Sequence, residues 1–332
     1  MVLYCHFRGG VDSVVLNDLI QQNNIKIDEI FVNKAVENTY NIRIINKTVD
    51  LYKTVHYPKT RSYKEIVWEY GHPIKNKNFS EMCYRCHRPI SEKNINDRFR
   101  LIAGINYKDV QNSKNVQMLF TLPLRFWYLA KKYPIQTKCC DILKKNPAKK
   151  INRPMIIGIM KTDSINRRRA IRENKKGNFF PLQDWTKQDV FDYVQKFNIE
   201  ISKSYQNRVL KDGTIVCGAT NTGCMGCHYG NTTNHFYIDS NGTKHKTTKF
   251  ENLERENPRM YKNIMHYTHK SGITFKETLQ AYYDSENGKY LKESMELRNK
   301  DLDFIFEFLH SNKEIEAIKY LENFLANEKQ NS

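Results

Sequence analysis

The chain has 332 residues, with 54 Lys and Arg against 36 Asp and Glu for a formal charge of +18, and 39% hydrophobic residues. This length predicts about two domains, or one large α/β core with an appendage. No apolar run is long enough to span a bilayer, and no basic leader precedes an apolar stretch, so a cytoplasmic protein with no membrane partner is expected. In that setting the eight cysteines would be thiols, metal ligands or redox groups rather than structural disulfides. The charge points to a polyanionic partner, either nucleic acid or a multiply phosphorylated nucleotide. Arg167-Arg168-Arg169, with Arg172, Lys175 and Lys176 close behind, favours a functional patch. Lys-rich solvated faces in a chain also rich in Asn and Ile would account for the same charge without a partner.

Val2 to Phe7 reads as a short buried strand, and Val14, Val15, Leu16, Leu19 and Ile20 then share one helix face. Ile27 to Val32 is a second strand, Ile42, Ile45, Val49 and Tyr52 keep helical spacing, and Val55 to Tyr57 is a third strand before Pro58. A βαβαβ start implies α/β architecture: a parallel twisted sheet with flanking helices and a ligand at the carboxyl ends of its strands. Residues 71–138 are less regular, with a helix expected over Leu119 to Lys132. Met155 to Met160 resumes the sheet, and Thr186-Lys187-Gln188-Asp189 resembles a capping box. Asp212-Gly213 and Asn241-Gly242 look like hairpin turns. Beyond about residue 250 apolar stripes such as Leu302, Ile305, Phe306 and Leu309 are helical packing faces. The organisation reads as an α/β domain over 1–250 and a helical region over 251–332.

Arg8-Gly9-Gly10-Val11-Asp12-Ser13 joins the first strand to the first helix. Paired glycines let backbone N–H groups approach an anion, the helix N-terminus adds positive potential, and Ser13 can add a hydroxyl. Asp12 is unsuited to touching phosphate and would instead cap the helix or face a metal such as Mg2+. A plain strand-to-helix turn also favours glycine. The segment Gly9 to Ser13 resembles the Ser-Gly-Gly-x-Asp-Ser pyrophosphatase loop of the adenine-nucleotide alpha-hydrolase superfamily. That superfamily includes phosphoadenylyl-sulfate (PAPS) reductases and nucleic-acid thiolation enzymes. The resemblance implies an adenine nucleotide, ATP or PAPS, with Arg8 standing where the family has serine. It also implies that the loop after the second strand holds adenine or ribose. There Lys34-Ala35 replace the family's Thr-Gly, while Glu37 keeps the acidic position.

Cys139-Cys140 and Cys224-Met225-Gly226-Cys227 together offer four thiolates. Adjacent cysteines bind one metal only with distortion, but a tandem pair and a Cys-x-x-Cys can take the corners of an iron–sulfur cube. Zinc is the main alternative, and four unrelated thiols the plainest. Lys144 and Lys145, about one helical turn beyond Cys140, could offset cluster or substrate charge. The pattern resembles the iron–sulfur branch of the PAPS reductase family, which implies a 4Fe-4S cluster on Cys139, Cys140, Cys224 and Cys227. Asp163-Ser164-Ile165-Asn166-Arg167 resembles that family's Asp-Glu-Ser-x-x-Arg stretch, with Asp163 in the glutamate position. Pro181-Leu182, Trp185-Thr186 and Asp189-Val190 follow in family order, and the likeness spans residues 2 to about 285. It makes Glu37, Asp163 and Ser164 candidates for ribose or adenine contacts and Arg167 for phosphate or sulfate. Cys83 and Cys86 would be a redox pair, half a metal site or a structural pair.

Three readings follow. The first is a PAPS-reductase-like enzyme, with Asp12, Ser13, Lys144 and Arg167 as its candidate catalytic groups. The family's reductive step uses a C-terminal cysteine, whereas this chain has none after Cys227, so Cys83, Cys86 or Cys217 would have to replace it. The second is ATP-dependent thiolation of nucleic acid, tRNA or DNA, with a sulfur or electron donor protein. The third is a degenerate nucleotide-binding protein in which Arg8 and Lys34-Ala35 keep affinity and lose turnover.

Overall fold

Apolar strands alternating with amphipathic helices at the start of the chain build a parallel sheet. The computed structural model describes residues 3–6, 10–25, 27–30, 39–49, 55–56, 61–112, 120–146, 154–219, 223–230 and 235–330. In it β1 (Leu3–His6), β2 (Ile27–Ile30), β3 (Val55–His56) and β4 (Met155–Ile156) lie in the order β3-β2-β1-β4. Every pairing is parallel; β1 sets Leu3 against Ile27 on one side and Tyr4 against Met155 on the other. Parallel neighbours need crossovers, and α1 (Val11–Gln22) and α2 (Thr39–Val49) supply the first two. Val11, Val15 and Leu16 of α1 are fully buried with Ile45 of α2, Met160, Leu182 and Val190. The α/β class expected from the sequence is the class observed.

The order of the strands matters for the site. The chain runs outward from β1 to β2 and β3, and then β4 adds on the opposite side of β1. The carboxyl ends of β1 and β4 therefore flank the point where an open parallel sheet leaves a crevice for ligands.

A second sheet is antiparallel, with β5 (Arg208–Val209), β6 (Ile215–Val216), β7 (His235–Ile238) and β8 (Lys244–Thr247) in sequential order. Both hairpin turns occur where the sequence predicts them, with Gly213 and Gly242 in the left-handed region at φ 83 and 81. These two sheets belong to one unit, Met1–Glu65 with Cys139–Lys262.

The other unit, Ile66–Lys138 with Asn263–Ser332, is helix-rich. It contains most of α3 (Tyr63–Tyr70), then α4 (Lys77–His87), α5 (Ile95–Ala103), α6 (Tyr107–Gln111) and α7 (Trp127–Lys132). The helices Phe275–Glu286, Leu291–Ser311 and Ile315–Gln330 complete it. The helix expected over Leu119 to Lys132 is shorter: a 3-10 turn opens it at Leu124, directly after Pro123. Proline disfavours helical backbone in the residue before it, so residues 120–122 cannot extend the helix backward. Among the described residues no helix is long and apolar enough to cross a membrane.

Inside this unit Arg98 is 1% exposed and its Nε lies 3.3 Å from Asp301, which also receives Lys131 at 2.8 Å. Cys86 is fully buried against this network; burial pushes its thiol up to about 12, although Arg98 and Lys131 pull the other way. Cys83 is equally buried, and burial holds its thiol well above the usual range. Of the roles open to this Cys-x-x-Cys, a structural pair fits: buried neutral thiols are inert core groups. Asp301→Ala would leave two cations without their shared carboxylate. Urea unfolding is expected to show a loss of about 3–5 kcal/mol. A loss of about 1 kcal/mol or less, the size of a surface pair, would contradict a buried network.

Candidate functional site

The first turn of α1 sits at the carboxyl end of β1. Gly10 is its N-cap at φ −75 and ψ 152, and its carbonyl accepts from Ser13 N–H and Val14 N–H, each at 3.0 Å. The Ser13 hydroxyl donates to the same carbonyl at 2.8 Å, so it braces the turn. Val11 N–H donates to the Tyr205 hydroxyl at 3.2 Å. Amides at the very start of a helix lack an i−4 carbonyl, which makes such an end attractive to an anion. Asp12 neither caps the helix nor stands alone; its carboxylate takes Lys187 Nζ at 2.6 Å. The pair is roughly one-quarter to one-third exposed, and it offsets a carboxylate that would repel an incoming phosphate. Lys187 was not singled out from sequence, because the capping box at Thr186 places its helix but not the reach of its side chain.

The loop after β4 closes the other side. Asp163 accepts from Met160 N–H at 3.0 Å and holds the Arg167 guanidinium. Ser164 caps the helix Ile165–Glu173 by accepting from Arg167 N–H. Asp163, Ser164 and Arg167 thus come together, with Arg167 still 45% exposed. Along the same helix Arg169 pairs with Glu173 at 2.6 Å, so part of the arginine cluster is internally neutralised. Arg8, Gly9 and Glu37 lie outside the described residues, and so does the Lys144 side chain, whose backbone is part of the π-helical turn Asp141–Lys145.

The thiols form the second part of the site. Cys139 is pushed well up by its hydrogen bond with Cys140, then by burial, then by the charges that Cys140, Cys227 and Cys224 would carry. Burial pushes Cys227 up to about 11, with Cys224 adding and Lys249 opposing. Burial raises Tyr63 as well, with Cys139, Cys227 and Cys224 the next contributors. Cys139, Cys140, Cys224 and Cys227 therefore share one electrostatic neighbourhood, although they come from two distant segments. Among the described residues no three His, Cys, Asp or Glu groups stand close enough to hold a single metal ion.

The Cys-x-x-Cys turn is gripped from both sides. Cys227 N–H donates to Cys224 O at 3.2 Å, and Tyr63 donates to Gly226 O at 2.5 Å. Gly226 packs so closely on this ring that an added Cβ would come within 2.8 Å of it. Lys249 Nζ donates to both Cys224 O, at 2.9 Å, and Cys227 O. Neither Tyr63 nor Lys249 carries a signal in the sequence beyond its helix-starting position. Cys217 opens onto a small cavity shared with Arg208, Met225, His235 and Lys249. His228, one residue beyond Cys227, is buried and stacked on Phe250 at 5.7 Å. Burial lowers it to about 3, so it is neutral.

The two parts are connected. Ser204 O accepts from Ala219 N–H at 2.8 Å, and a Cβ on Gly218 would strike Tyr205 O at 2.3 Å. The turn that presents Tyr205 to α1 is thus pressed against the segment leading to Cys224.

A family model, "Phosphoadenosine phosphosulfate reductase domain", matches residues 3–229. The chain belongs to that family. Among solved structures, phosphoadenylyl-sulfate (PAPS) reductase from Candida auris, in its phosphate complex, is similar at 14% identity. The match covers 61% of this chain and 76% of that one, with a TM-score of 0.33. No curated protein matches.

Gly10→Val tests the α1 end directly. The glycine's φ is open to any residue, and an added Cβ meets the Tyr205 hydroxyl at an ordinary 3.5 Å, so the fold should survive. Its branched side chain would cover the amides, and calorimetry should show ATP and PAPS binding abolished. Unchanged affinity for both would place the nucleotide elsewhere.

Proposed function

We propose that the protein binds an adenylyl nucleotide, ATP or PAPS, at the first turn of α1 and catalyses reduction or transfer of a sulfur group beside a 4Fe-4S cluster. Membership of the PAPS reductase family supports a nucleotide-binding, sulfur-related role. The observation that carries the reading is that Cys139 feels Cys140, Cys224 and Cys227, which supports one neighbourhood for these thiols in the unit that holds β1 to β4. Cys139 and Cys227, both raised in part by neighbouring thiols, would be relieved if a metal took the protons' place. A four-iron cube offers one corner per thiolate, so Cys139, Cys140, Cys224 and Cys227 need not meet at a point. Such a cluster would supply a site for electrons or for sulfur coordination.

The chain's own groups have definable tasks. The Val11 and Asp12 amides would donate to phosphate oxygens, with Tyr205 yielding or sharing the Val11 N–H. Lys187 keeps Asp12 from opposing that anion, unless Mg2+ takes its place on the carboxylate. Arg167, half exposed on Asp163, can turn to a phosphate or sulfate while Ser164 keeps its helix start fixed. Lys249 and Tyr63 hold the carbonyls of the Cys-x-x-Cys turn and so fix the direction of its thiols. Glu37 remains the proposed ribose or adenine contact, with Asp163 and Ser164, and Lys144 a proposed counter-charge.

Burial of Cys83 and Cys86 favours a second reading, ATP-dependent thiolation of tRNA or DNA with a sulfur donor protein. Neither thiol can act as an accessible nucleophile, which among the described residues leaves Cys217 as the partly exposed thiol beyond the four proposed ligands. In that reading the nucleotide activates the acceptor and the +18 charge serves the polyanion.

Protein purified without oxygen should be brown and contain iron and sulfide, both lost in Cys224→Ala. Colourless protein with stoichiometric zinc would overturn the cluster. The enzyme and relic readings separate at Arg8, where a guanidinium replaces the family's serine hydroxyl. Arg8→Ser should raise ATP or PAPS turnover if Arg8 has slowed an otherwise intact site. Wild-type turnover in the ordinary enzymatic range, about 1 per second or faster, would exclude the degenerate reading.

A further inference from the structure

The helix Ile165–Glu173 goes against several of the rules that stabilise helices. Between residues 167 and 176 the chain sets six cations against one carboxylate. No acidic residue stands in the first turn, where the helix dipole favours one. Arg168 and Arg172 are spaced i,i+4, so like charges face each other on neighbouring turns. Ile171 is the residue the helix buries, so packing contributes little to offset these terms. The Ser164 cap and the Arg169–Glu173 pair work the other way, and neither engages the Arg168 or Arg172 side chain. Local conflicts of this kind, with no gain in the fold, are expected where a surface serves binding.

The cations also sort by direction. At about 3.6 residues per turn, Arg168, Arg172 and Arg169 fall within an arc of about 100°, with Ile171 lying between Arg167 and Arg168 around the helix. Arg167 turns to Asp163, whereas the arc faces solvent. Glu173 is shared by Arg169 at 2.6 Å and Lys175 at 3.6 Å. Arg168, Arg172 and Lys176 are exposed and have no ion pair among the described residues. The turn that follows is tied down. Asn174, left-handed at φ 30, donates through its amide to Asn178 O at 2.9 Å and accepts from Asn178 N–H at 2.8 Å. Asn178 Oδ1 in turn accepts from Met155 N–H at 3.0 Å, which fastens the turn to β4. The backbone under Lys175 and Lys176 is thus fixed, which lowers the ordering cost of binding through them.

We propose that the face formed by Arg168, Arg172 and Lys176 docks the phosphodiester backbone of double-helical nucleic acid. The guanidinium fork suits phosphate oxygens, and such contacts set affinity and orientation without reading sequence. The helix carries no aromatic ring on which an unpaired base could stack, so a duplex fits it better than a single strand. Ile165 and Ala170 are its exposed apolar residues, whereas a helix that lies on a membrane presents a whole apolar face. The face belongs to the unit that holds β1 to β4. It gives the thiolation reading a place to hold its acceptor but does not rest on that reading, because docking needs neither nucleotide nor thiols.

The test is anisotropy of a labelled DNA duplex and, separately, a labelled tRNA with the full-length protein. It is read without nucleotide, so failure of the α1 site does not touch it. Wild type should bind at low salt, and the tighter of the two names the source of the backbone. Arg168→Ala with Arg172→Ala should weaken duplex binding roughly tenfold or more and lower the slope of log affinity against log salt by about 1.8, two phosphate contacts. The same pair should hold or raise the thermal midpoint, since it removes a like-charge repulsion, and should leave ATP and PAPS affinity by calorimetry unchanged. Lys292→Ala with Lys300→Ala, two exposed cations of the helix-rich unit, should keep the wild-type slope. Absence of wild-type binding at low salt, an equal slope in both double variants, or a lowered midpoint in the arginine variant would overturn the proposal. Loss of PAPS affinity in that variant would return these arginines to the nucleotide site. Phosphatidylserine vesicles bound as tightly as the duplex, with the same loss in the arginine variant, would assign the face to a membrane instead.

Discussion

The amide end of α1 is the constraint on which the α/β unit is arranged. A helix that starts at a strand's carboxyl end exposes donors that need acceptors or an anion. Here the Gly10 carbonyl gathers the Ser13 and Val14 amides and the Ser13 hydroxyl, while Tyr205 takes Val11. Tyr205 can reach α1 only because its turn packs on Gly218, and Gly218 lies on the way to the Cys-x-x-Cys. The turn that takes Val11 N–H is thus packed against Gly218 and Ala219.

The thiol half obeys a different constraint. Cys139 is kept neutral by its hydrogen bond with Cys140 and by burial, and Cys227 by burial. Lys249 opposes the rise at Cys227 and, with Tyr63, holds the backbone carbonyls rather than the sulfurs. The orientation of the Cys-x-x-Cys turn is thus set through its backbone. Cys83 and Cys86 show the contrast: the same spacing on α4 is fully buried.

Much of this was legible in the sequence because it rests on local rules. Alternation and period gave the parallel strands and α1, and the two glycine turns marked both hairpins. The grouping of Asp163, Ser164 and Arg167 is also local, since a cap and an i,i+4 pair lie within one turn. Lys187 on Asp12, Tyr205 on Val11 and Lys249 on the cysteine carbonyls are different. Each joins groups far apart in the chain through a flexible or terminal side-chain atom, and no periodicity reports that reach. The helix-rich unit was the least legible region, because its segments 66–138 and 263–332 complete each other's packing. Only the second carries clear stripes on its own.

The central claim is that the α1 anion site and the four thiols work on one substrate. Electron paramagnetic resonance of reduced, anaerobically purified protein, recorded before and after saturation with PAPS or ATP, tests it most directly. The account predicts a four-iron signal whose line shape changes with nucleotide in wild type and does not change in Gly10→Val. A signal indifferent to nucleotide, or no iron signal at all, would contradict it.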